Sequence, residues 1–146
     1  MKVLVINGPN LNYLGIREPE IYGRRDYNAL VEFCMQSAGE LGFDCEVYQS
    51  NHEGCIVDKI QQAYGNIDAI VINPAAYTHT SVAILDALKA VGIPAVEVHL
   101  SDVNAREEFR KLSYAGMACV KTYAGYGFEG YKMAIEYLKE HLSKEN

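Results

Sequence analysis

No apolar run in this sequence approaches the roughly 20 residues that a membrane-spanning helix requires. A strand-like pattern begins at Lys2, and no basic region followed by an apolar signal stretch comes before it. These two absences argue against a membrane protein and against a secreted one. We therefore expect a cytoplasmic protein that has no membrane partner.

Basic residues are also scarce, with 13 Lys and Arg against 19 Asp and Glu and a net charge of −6. Nucleic-acid binding needs a basic face, and no basic tract exists outside residues 14–25. We therefore expect no nucleic-acid partner. Within that segment, Arg17, Arg24 and Arg25 form a local positive cluster. The cluster suggests a small acidic ligand, although plain solubility would also explain it.

The four cysteines lack the spacing of a metal site or of a CxxC motif; they are Cys34, Cys45, Cys55 and Cys119. Cys34 and Cys45 fall within apolar patterns, as buried thiols do. We expect four free, mostly buried thiols in a reducing compartment, and no bound metal.

Strand and helix patterns alternate along the 146 residues, a length that fits a single catalytic domain, 1–146. The apolar runs Val3–Ile6 and Ala69–Ile72 are typical of parallel strands that are buried on both faces. The patterns predict strands over 3–6, 43–49, 69–72, 95–100 and 118–123, and helices over 26–41, 53–64, 81–91, 104–112 and 129–142. The predicted fold is α/β, a flavodoxin-like doubly wound five-stranded parallel sheet of order 2-1-3-4-5 with helices on both faces.

This topology predicts where a ligand binds, because ligands of open α/β sheets lie beyond the carboxyl ends of the strands. Polar clusters follow the first, third and fourth strands at Asn7–Asn10, Asn73–His79 and Glu97–Ser101. Those strands are neighbours in the predicted order, so the three clusters converge on one cleft. The cluster Asn51–Glu53 after the second strand is expected to lie further out.

Glu97 and His99 point to the same face of an alternating strand. A carboxylate in that position can hold the tautomer and the orientation of an imidazole, so we favour an acid/base role for His99. Two alternatives stay open: a metal site that includes His79, and a buried histidine whose hydrogen bonds are merely satisfied.

Residues 14–25 form a polar segment that is longer than a simple connection needs, which is typical of a lid. It carries Arg17 and Tyr22. A free phenol has a pKa of about 10, so use as a base at pH 7 needs roughly 4 kcal/mol of differential stabilisation. A neighbouring guanidinium can supply part of this stabilisation when the lid excludes water.

Gly125–Gly130 matches the pattern GxGxxG, but a dinucleotide fingerprint opens a βαβ unit, whereas only one helix pattern follows here. A tight turn and close packing explain these glycines better. A flavin or nucleotide module would need a phosphate cradle after the first strand, where Asn7–Asn10 offers one glycine and a proline that lacks an N–H. A signalling receiver domain would need acidic residues where Asn7 and Asn73 stand.

Several motifs together resemble the type II 3-dehydroquinate dehydratase family: Gly8-Pro-Asn-Leu-Asn12, Gly15-x-Arg-Glu-Pro19, Tyr22-Gly23, Asn73-Pro-Ala-Ala-Tyr-Thr-His-Thr-Ser81, Val96-Glu-Val-His-Leu-Ser101, Arg106-Glu-Glu-Phe-Arg110 and Gly125-x-Gly-x-x-Gly-Tyr131. The resemblance implies cofactor-independent anti elimination of water from 3-dehydroquinate to 3-dehydroshikimate through an enolate. The pathway would be shikimate and aromatic amino acid biosynthesis, or quinate catabolism.

The resemblance also implies the role of each catalytic residue. Tyr22 would be the base that removes the proton alpha to the ketone, and Arg17 would stabilise its phenolate. Asn10 would help to hold a water against the enolate oxygen. His99, oriented by Glu97, would protonate the departing hydroxyl.

Substrate hydroxyls and the carboxylate would be bound, on the same resemblance, by Asn73, His79, Leu100, Ser101 and Arg110. Asp86 would reach into a neighbouring subunit's site, because family members assemble as dodecamers built from trimers. The chain departs from the family at Ala75, Leu85 and Leu112, where glycine, arginine and histidine respectively are common.

Overall fold

The computed structural model describes residues 1–16 and 25–144, which form alternating strands and helices. The strands are β1 Lys2–Asn7, β2 Asp44–Gln49, β3 Ala69–Asn73, β4 Ala95–His99 and β5 Lys121–Ala124. The α-helices are α1 Tyr27–Glu40, α2 Glu53–Ala63, α3 Val82–Val91 and α4 Glu129–Lys144. Short 3-10 turns cover Leu11–Tyr13, Ala75–His79, Val103–Ala105, Glu108–Arg110 and Ala115–Ala118.

The described strands form one parallel sheet in the order β2-β1-β3-β4-β5, which confirms the predicted fold. The register pairs Asn7 at the end of β1 with Asn73 at the end of β3. Ile72 pairs with Glu97 one strand further along. The polar residues that follow β1, β3 and β4 therefore emerge at the same edge of the sheet.

Apolar side chains cover both faces of the sheet, and this explains the uninterrupted apolar runs. Val3 and Val5 pack on one face with α1 and α4, where Leu30 and Ile135 are fully buried. The intervening residues of β1 pack on the other face with α2 and α3. A strand that is covered on both sides has no solvent-facing positions at which polar residues would alternate.

Side-chain caps and a glycine define the ends of two helices. The Asp26 carboxylate accepts a hydrogen bond from the Ala29 N–H at 2.9 Å, and the Ser81 hydroxyl accepts one from the Ile84 N–H at 3.0 Å. Gly92 ends α3 with a φ of 66°, a left-handed conformation that glycine adopts without strain.

The helix predicted over 104–112 is wrong, because the chain forms the two 3-10 turns Val103–Ala105 and Glu108–Arg110 there. The pattern Asn104-Ala-Arg-Glu107 is typical of a capping box, but the Glu107 carboxylate instead accepts a hydrogen bond from Arg110 Nε at 2.7 Å. Phe109 and Leu112 are 64% and 46% exposed. Without a buried apolar face, a short α-helix has little to stabilise it. β5 also begins three residues later than predicted, since Ala115–Ala118 forms a turn.

Gly8 is the point at which the loops after β1 and β3 touch. Its N–H donates to the Asn73 carbonyl oxygen at 2.8 Å. A Cβ at this position would lie 2.3 Å from the Pro74 carbonyl oxygen, a distance that only backbone movement could relieve. The approach of the two loops therefore requires glycine.

We expect Gly8→Ala to lower the free energy of unfolding by about 1–3 kcal/mol, because the added methyl forces the two loops apart. Urea denaturation at fixed protein concentration measures this. Gly54→Ala is the matched control, since Gly54 lies exposed in α2 and a Cβ there meets no described atom within 4 Å beyond its own helix. Equal stability of the two variants would contradict the steric argument.

Candidate active site

A cavity of about 280 Å³ opens at the carboxyl edge of the sheet, where the loops after β1, β3 and β4 meet. Most of the predicted site residues line it: Asn10, Asn73, His79, His99, Leu100, Ser101 and Arg110. The convergence predicted from strand order is therefore present in the described part of the chain.

Two of the predicted residues that the structure describes do not line this cavity. Glu97 is buried behind His99 rather than exposed to the cavity. Asp86 is exposed on α3 and is not among the described residues that line the cavity. Arg17 and Tyr22 lie outside the described residues, as does most of the predicted lid. Where the chain is described again, the Arg25 guanidinium lies 3.9 Å from the centre of the Phe128 ring.

His99 and Glu97 are adjacent on one face of β4, as the alternation predicted. His99 Nε2 lies 3.1 Å from Glu97 Oε2, and both residues are almost fully buried. At this distance the two side chains form an ion pair whenever the imidazole is protonated. One nitrogen of the ring thus faces a carboxylate while the residue itself lines the cavity.

The Glu97 carboxylate is also held by two hydroxyl groups that sequence reasoning missed. Ser113 Oγ donates to Oε2, and Thr122 Oγ1 donates to Oε1 at 2.9 Å. Burial on its own would raise the pKa of Glu97, but the attraction of His99 and the two hydroxyl donors outweigh it and lower the pKa. Glu97 is therefore ionised at neutral pH, so the imidazole of His99 faces a negative charge.

Glu97 and Ser113 leave no room for a side chain at position 116. Gly116 N–H donates to Ser113 Oγ at 2.9 Å, and a Cβ at Gly116 would lie 2.8 Å from Glu97 Oε1. Thr122 stands opposite Glu97 in the register of β4 and β5. That register position is the signal that could have found Thr122, because a buried carboxylate on a central strand needs donors on its neighbours.

The tautomer of His79 is fixed by the main chain. Its Nδ1 lies 2.7 Å from the carbonyl oxygen of Leu112, and a carbonyl can only accept, so Nδ1 carries the hydrogen. In the neutral ring, Nε2 is then the nitrogen that accepts a hydrogen bond from a ligand. Leu112 takes part through its backbone, so this contact does not depend on which side chain stands at position 112.

Two residues of the cavity wall have left-handed backbones: Asn10 with a φ of 70° and Ala75 with a φ of 53°. Asparagine tolerates this region, and the Asn10 N–H donates to Asn51 Oδ1 at 3.0 Å. The cluster after β2 therefore supports the wall from behind, as its expected outer position implies. Ala75 adopts the conformation at a cost of about 1 kcal/mol, at a position where glycine would not be strained.

Positive charge is concentrated on one side of the cavity, where Arg106 and Arg110 both line it. Arg110 Nε is also paired with the Glu107 carboxylate at 2.7 Å, which holds its guanidinium in place. Arg106 was not predicted as a site residue. The feature that could have identified it is its position four residues before Arg110, in a polar stretch that follows the end of a strand.

The cysteines take no part in this cavity and are free among the described residues. Burial raises the pKa of Cys34, and it raises that of Cys45 to about 11 and that of Cys119 to about 12. Cys55 is exposed, so the expectation of mostly buried thiols fails there. Across residues 1–16 and 25–144, no three His, Cys, Asp or Glu side chains are grouped to hold a metal ion.

In those same ranges, none of the helices combines the length and the apolar character needed to cross a bilayer.

The family model described as Dehydroquinase class II matches residues 1–139. The chain belongs to this family. It is 53% identical over 144 residues to the 3-dehydroquinate dehydratase of Clostridium acetobutylicum, covering 99% of this chain and all of the relative. It is 56% identical over 142 residues to the 3-dehydroquinate dehydratase of Caldicellulosiruptor saccharolyticus, covering 97% of this chain and 98% of the relative.

Solved structures agree with this dehydroquinase assignment. The crystal structure of the type II dehydroquinase from Butyrivibrio crossotus superposes with a TM-score of 0.93 at 55% identity, covering 94% of this chain and 97% of that one. The chain therefore has the fold of a class II dehydroquinase.

We expect Ser113→Ala to lower the free energy of unfolding at pH 7 by about 1.5–3 kcal/mol, because it removes a donor from a buried ionised carboxylate. A lowered folded-state pKa means that Glu97 contributes stability above its unfolded pKa and loses it as pH falls. In the variant the carboxyl pKa rises, so the acid loss starts at a higher pH.

Urea denaturation at pH 7 and at pH 3 measures both effects, and the difference from the unsubstituted protein should be larger at pH 7. Ser143→Ala, at an exposed serine in the last turn of α4, is the control. A difference that is independent of pH would show that Ser113 does not act on the Glu97 charge.

Proposed function

We propose that this protein eliminates water from 3-dehydroquinate to give 3-dehydroshikimate, the activity that the names of its relatives carry. The observation that supports this most directly is His99, which lines the cavity while the ionised Glu97 lies 3.1 Å behind it. A histidine that lines a cavity and is paired with a carboxylate on its other side suits the donation of a proton to a leaving hydroxyl. The choice of 3-dehydroquinate as the substrate rests on membership of the class II dehydroquinase family.

Elimination beta to a ketone needs a base, a group that stabilises the enolate and an acid. In the proposed sequence the Tyr22 phenolate takes the proton alpha to the ketone, and the electrons move onto the carbonyl oxygen as an enolate. When the carbonyl re-forms, the carbon–oxygen bond to the beta hydroxyl breaks. His99 gives its proton to that oxygen, and water leaves.

The enolate would be stabilised through a water held by Asn10, and the Tyr22 phenolate would be stabilised by Arg17. The position of Asn10 on the cavity wall supports its part, because its left-handed backbone is held by the hydrogen bond to Asn51. Tyr22 and Arg17 are assigned on the motifs Gly15-x-Arg-Glu-Pro19 and Tyr22-Gly23.

We assign recognition of the substrate to two groups of cavity residues. Ser101, the Leu100–Ser101 backbone and Arg110 would bind the carboxylate, and Arg106 adds a second positive charge on that side. Asn73 and His79 would bind the ring hydroxyls. The fixed tautomer of His79 supports this, since Nε2 accepts a hydrogen bond from a hydroxyl.

We propose that Asp86 serves the cavity of a neighbouring subunit within a dodecamer of trimers. Its exposure on α3, away from its own cavity, supports this role. Val82 on the same helix is 48% exposed, and Met117 in the turn against which α3 packs is 58% exposed. Leu85, the neighbour of Asp86, is buried within its own subunit.

Incubation with 3-dehydroquinate is expected to produce the ultraviolet absorbance of the conjugated enone. Tyr22→Phe should abolish turnover while binding of the substrate, measured by calorimetry, largely survives. Tyr64→Phe, at a tyrosine that is 70% exposed, should behave like the unsubstituted protein. Failure of the folded protein to turn over this substrate would refute the proposed function, and an active Tyr22→Phe variant would refute the assignment of the base.

Glu97→Gln should lower kcat at pH 7 about tenfold with KM changed little, because it removes the negative charge that lies 3.1 Å from the imidazole proposed as the acid. Steady-state rates at a fixed pH measure this. Glu108→Gln, at a side chain that is 88% exposed, is the control and should leave kcat unchanged. A Glu97→Gln variant with the kcat of the unsubstituted protein would show that Glu97 does not support the acid.

A further inference from the structure

Behind the cavity, a buried tyrosine joins the ends of two strands. Tyr131 lies in α4 with none of its surface exposed, and it is not among the described residues that line the cavity. Its hydroxyl donates to Asn7 Oδ1 at 2.7 Å and accepts from Asn73 Nδ2 at 3.0 Å. Asn7 and Asn73 are the last residues of β1 and β3 and are directly paired in the sheet.

The direction of these hydrogen bonds is set by a backbone N–H, which can donate a hydrogen bond but cannot accept one. The backbone N–H of Ala75 donates to Asn73 Oδ1 at 3.1 Å, so the oxygen of the amide faces Ala75 and the nitrogen faces Tyr131. Tyr131 must then accept from Asn73, and its single hydrogen goes to Asn7. Burial raises the pKa of Tyr131 well above its usual value, so the hydroxyl keeps this hydrogen.

The hydrogen bonds to Tyr131 and Ala75 leave part of the Asn73 amide free to bind a ligand. A primary amide has two N–H donors and two lone pairs on oxygen, and one of each is used here. One donor and one lone pair stay available to a ligand in the cavity that Asn73 lines. Without the Tyr131 hydroxyl, the nitrogen end of the amide would have no fixed partner.

We infer that Tyr131 is a positioning residue that, together with the Ala75 N–H, holds the Asn73 amide in the orientation in which it meets a substrate hydroxyl, without touching the substrate itself. The inference rests on the proposed function only in making Asn73 a substrate-binding residue. Ala75 holds the oxygen end of the amide and Tyr131 holds the nitrogen end. Ala75 has a left-handed backbone with a φ of 53°, and its N–H donates to the amide oxygen of Asn73. This backbone conformation is therefore part of the arrangement that orients Asn73.

Tyr131→Phe is expected to raise KM for 3-dehydroquinate about tenfold with kcat changed less than twofold, since one uniformly used hydrogen bond is weakened. Tyr137→Phe is the matched control on the same helix, because Tyr137 packs against Tyr123 and His141 away from the cavity. It should leave both constants unchanged. A Tyr131→Phe variant with the KM of the unsubstituted protein would overturn the inference.

A double substitution separates positioning from general loosening of the sheet. Asn73→Ala alone should raise KM, and adding Tyr131→Phe should raise it no further, because the residue being positioned is gone. A merely structural role predicts instead that the two effects multiply. Multiplied effects would therefore overturn the inference even if each single variant behaves as expected.

A measurement on the unsubstituted protein keeps the inference testable if Tyr131→Phe does not fold. In NMR spectra, one side-chain amide proton of Asn73 should be protected from exchange with solvent and should show a nuclear Overhauser contact with the Tyr131 ring. Rapid exchange of both protons would overturn the inference. Because this readout needs no turnover, it stays decisive even if 3-dehydroquinate is not the substrate.

Discussion

The contact between the loops after β1 and β3 is the constraint on which the site depends. Gly8 lies against Asn73 and Pro74 with no space for a side chain, and its N–H is bonded to the Asn73 carbonyl oxygen at 2.8 Å. This contact brings the wall that contains Asn10 next to the wall that contains Asn73. The pairing of Asn7 with Asn73 beneath it then lets one tyrosine hydroxyl reach both amides.

A second constraint is electrostatic and acts at β4. Glu97 is ionised in a buried position only because His99, Ser113 and Thr122 surround it, and each of these comes from a different place along the chain. Burial and polar partners oppose one another here, and the partners win. The same arrangement places a negative charge beside the imidazole of His99, which lines the cavity.

The sequence predicted the sheet order and most cavity residues, because strand periodicity and capping act locally and the carboxyl ends of adjacent parallel strands must meet. It failed where tertiary contacts decide. The stretch 104–112 had a capping pattern but no apolar face to bury, so it formed turns. Ser113, Thr122 and Tyr131 were missed as functional residues because their partners lie far away in sequence or across the sheet.

One feature of the cavity wall bears on how such a site can change in sequence while keeping its chemistry. His79 is oriented by the main-chain carbonyl of Leu112, an atom that every amino acid provides. Position 112 is therefore free to exchange its side chain as long as the turn keeps its path. Asn73 is in the opposite situation, since its orientation depends on a hydroxyl that only a few side chains can supply. Drift within the family should accordingly be tolerated at 112 and resisted at 131.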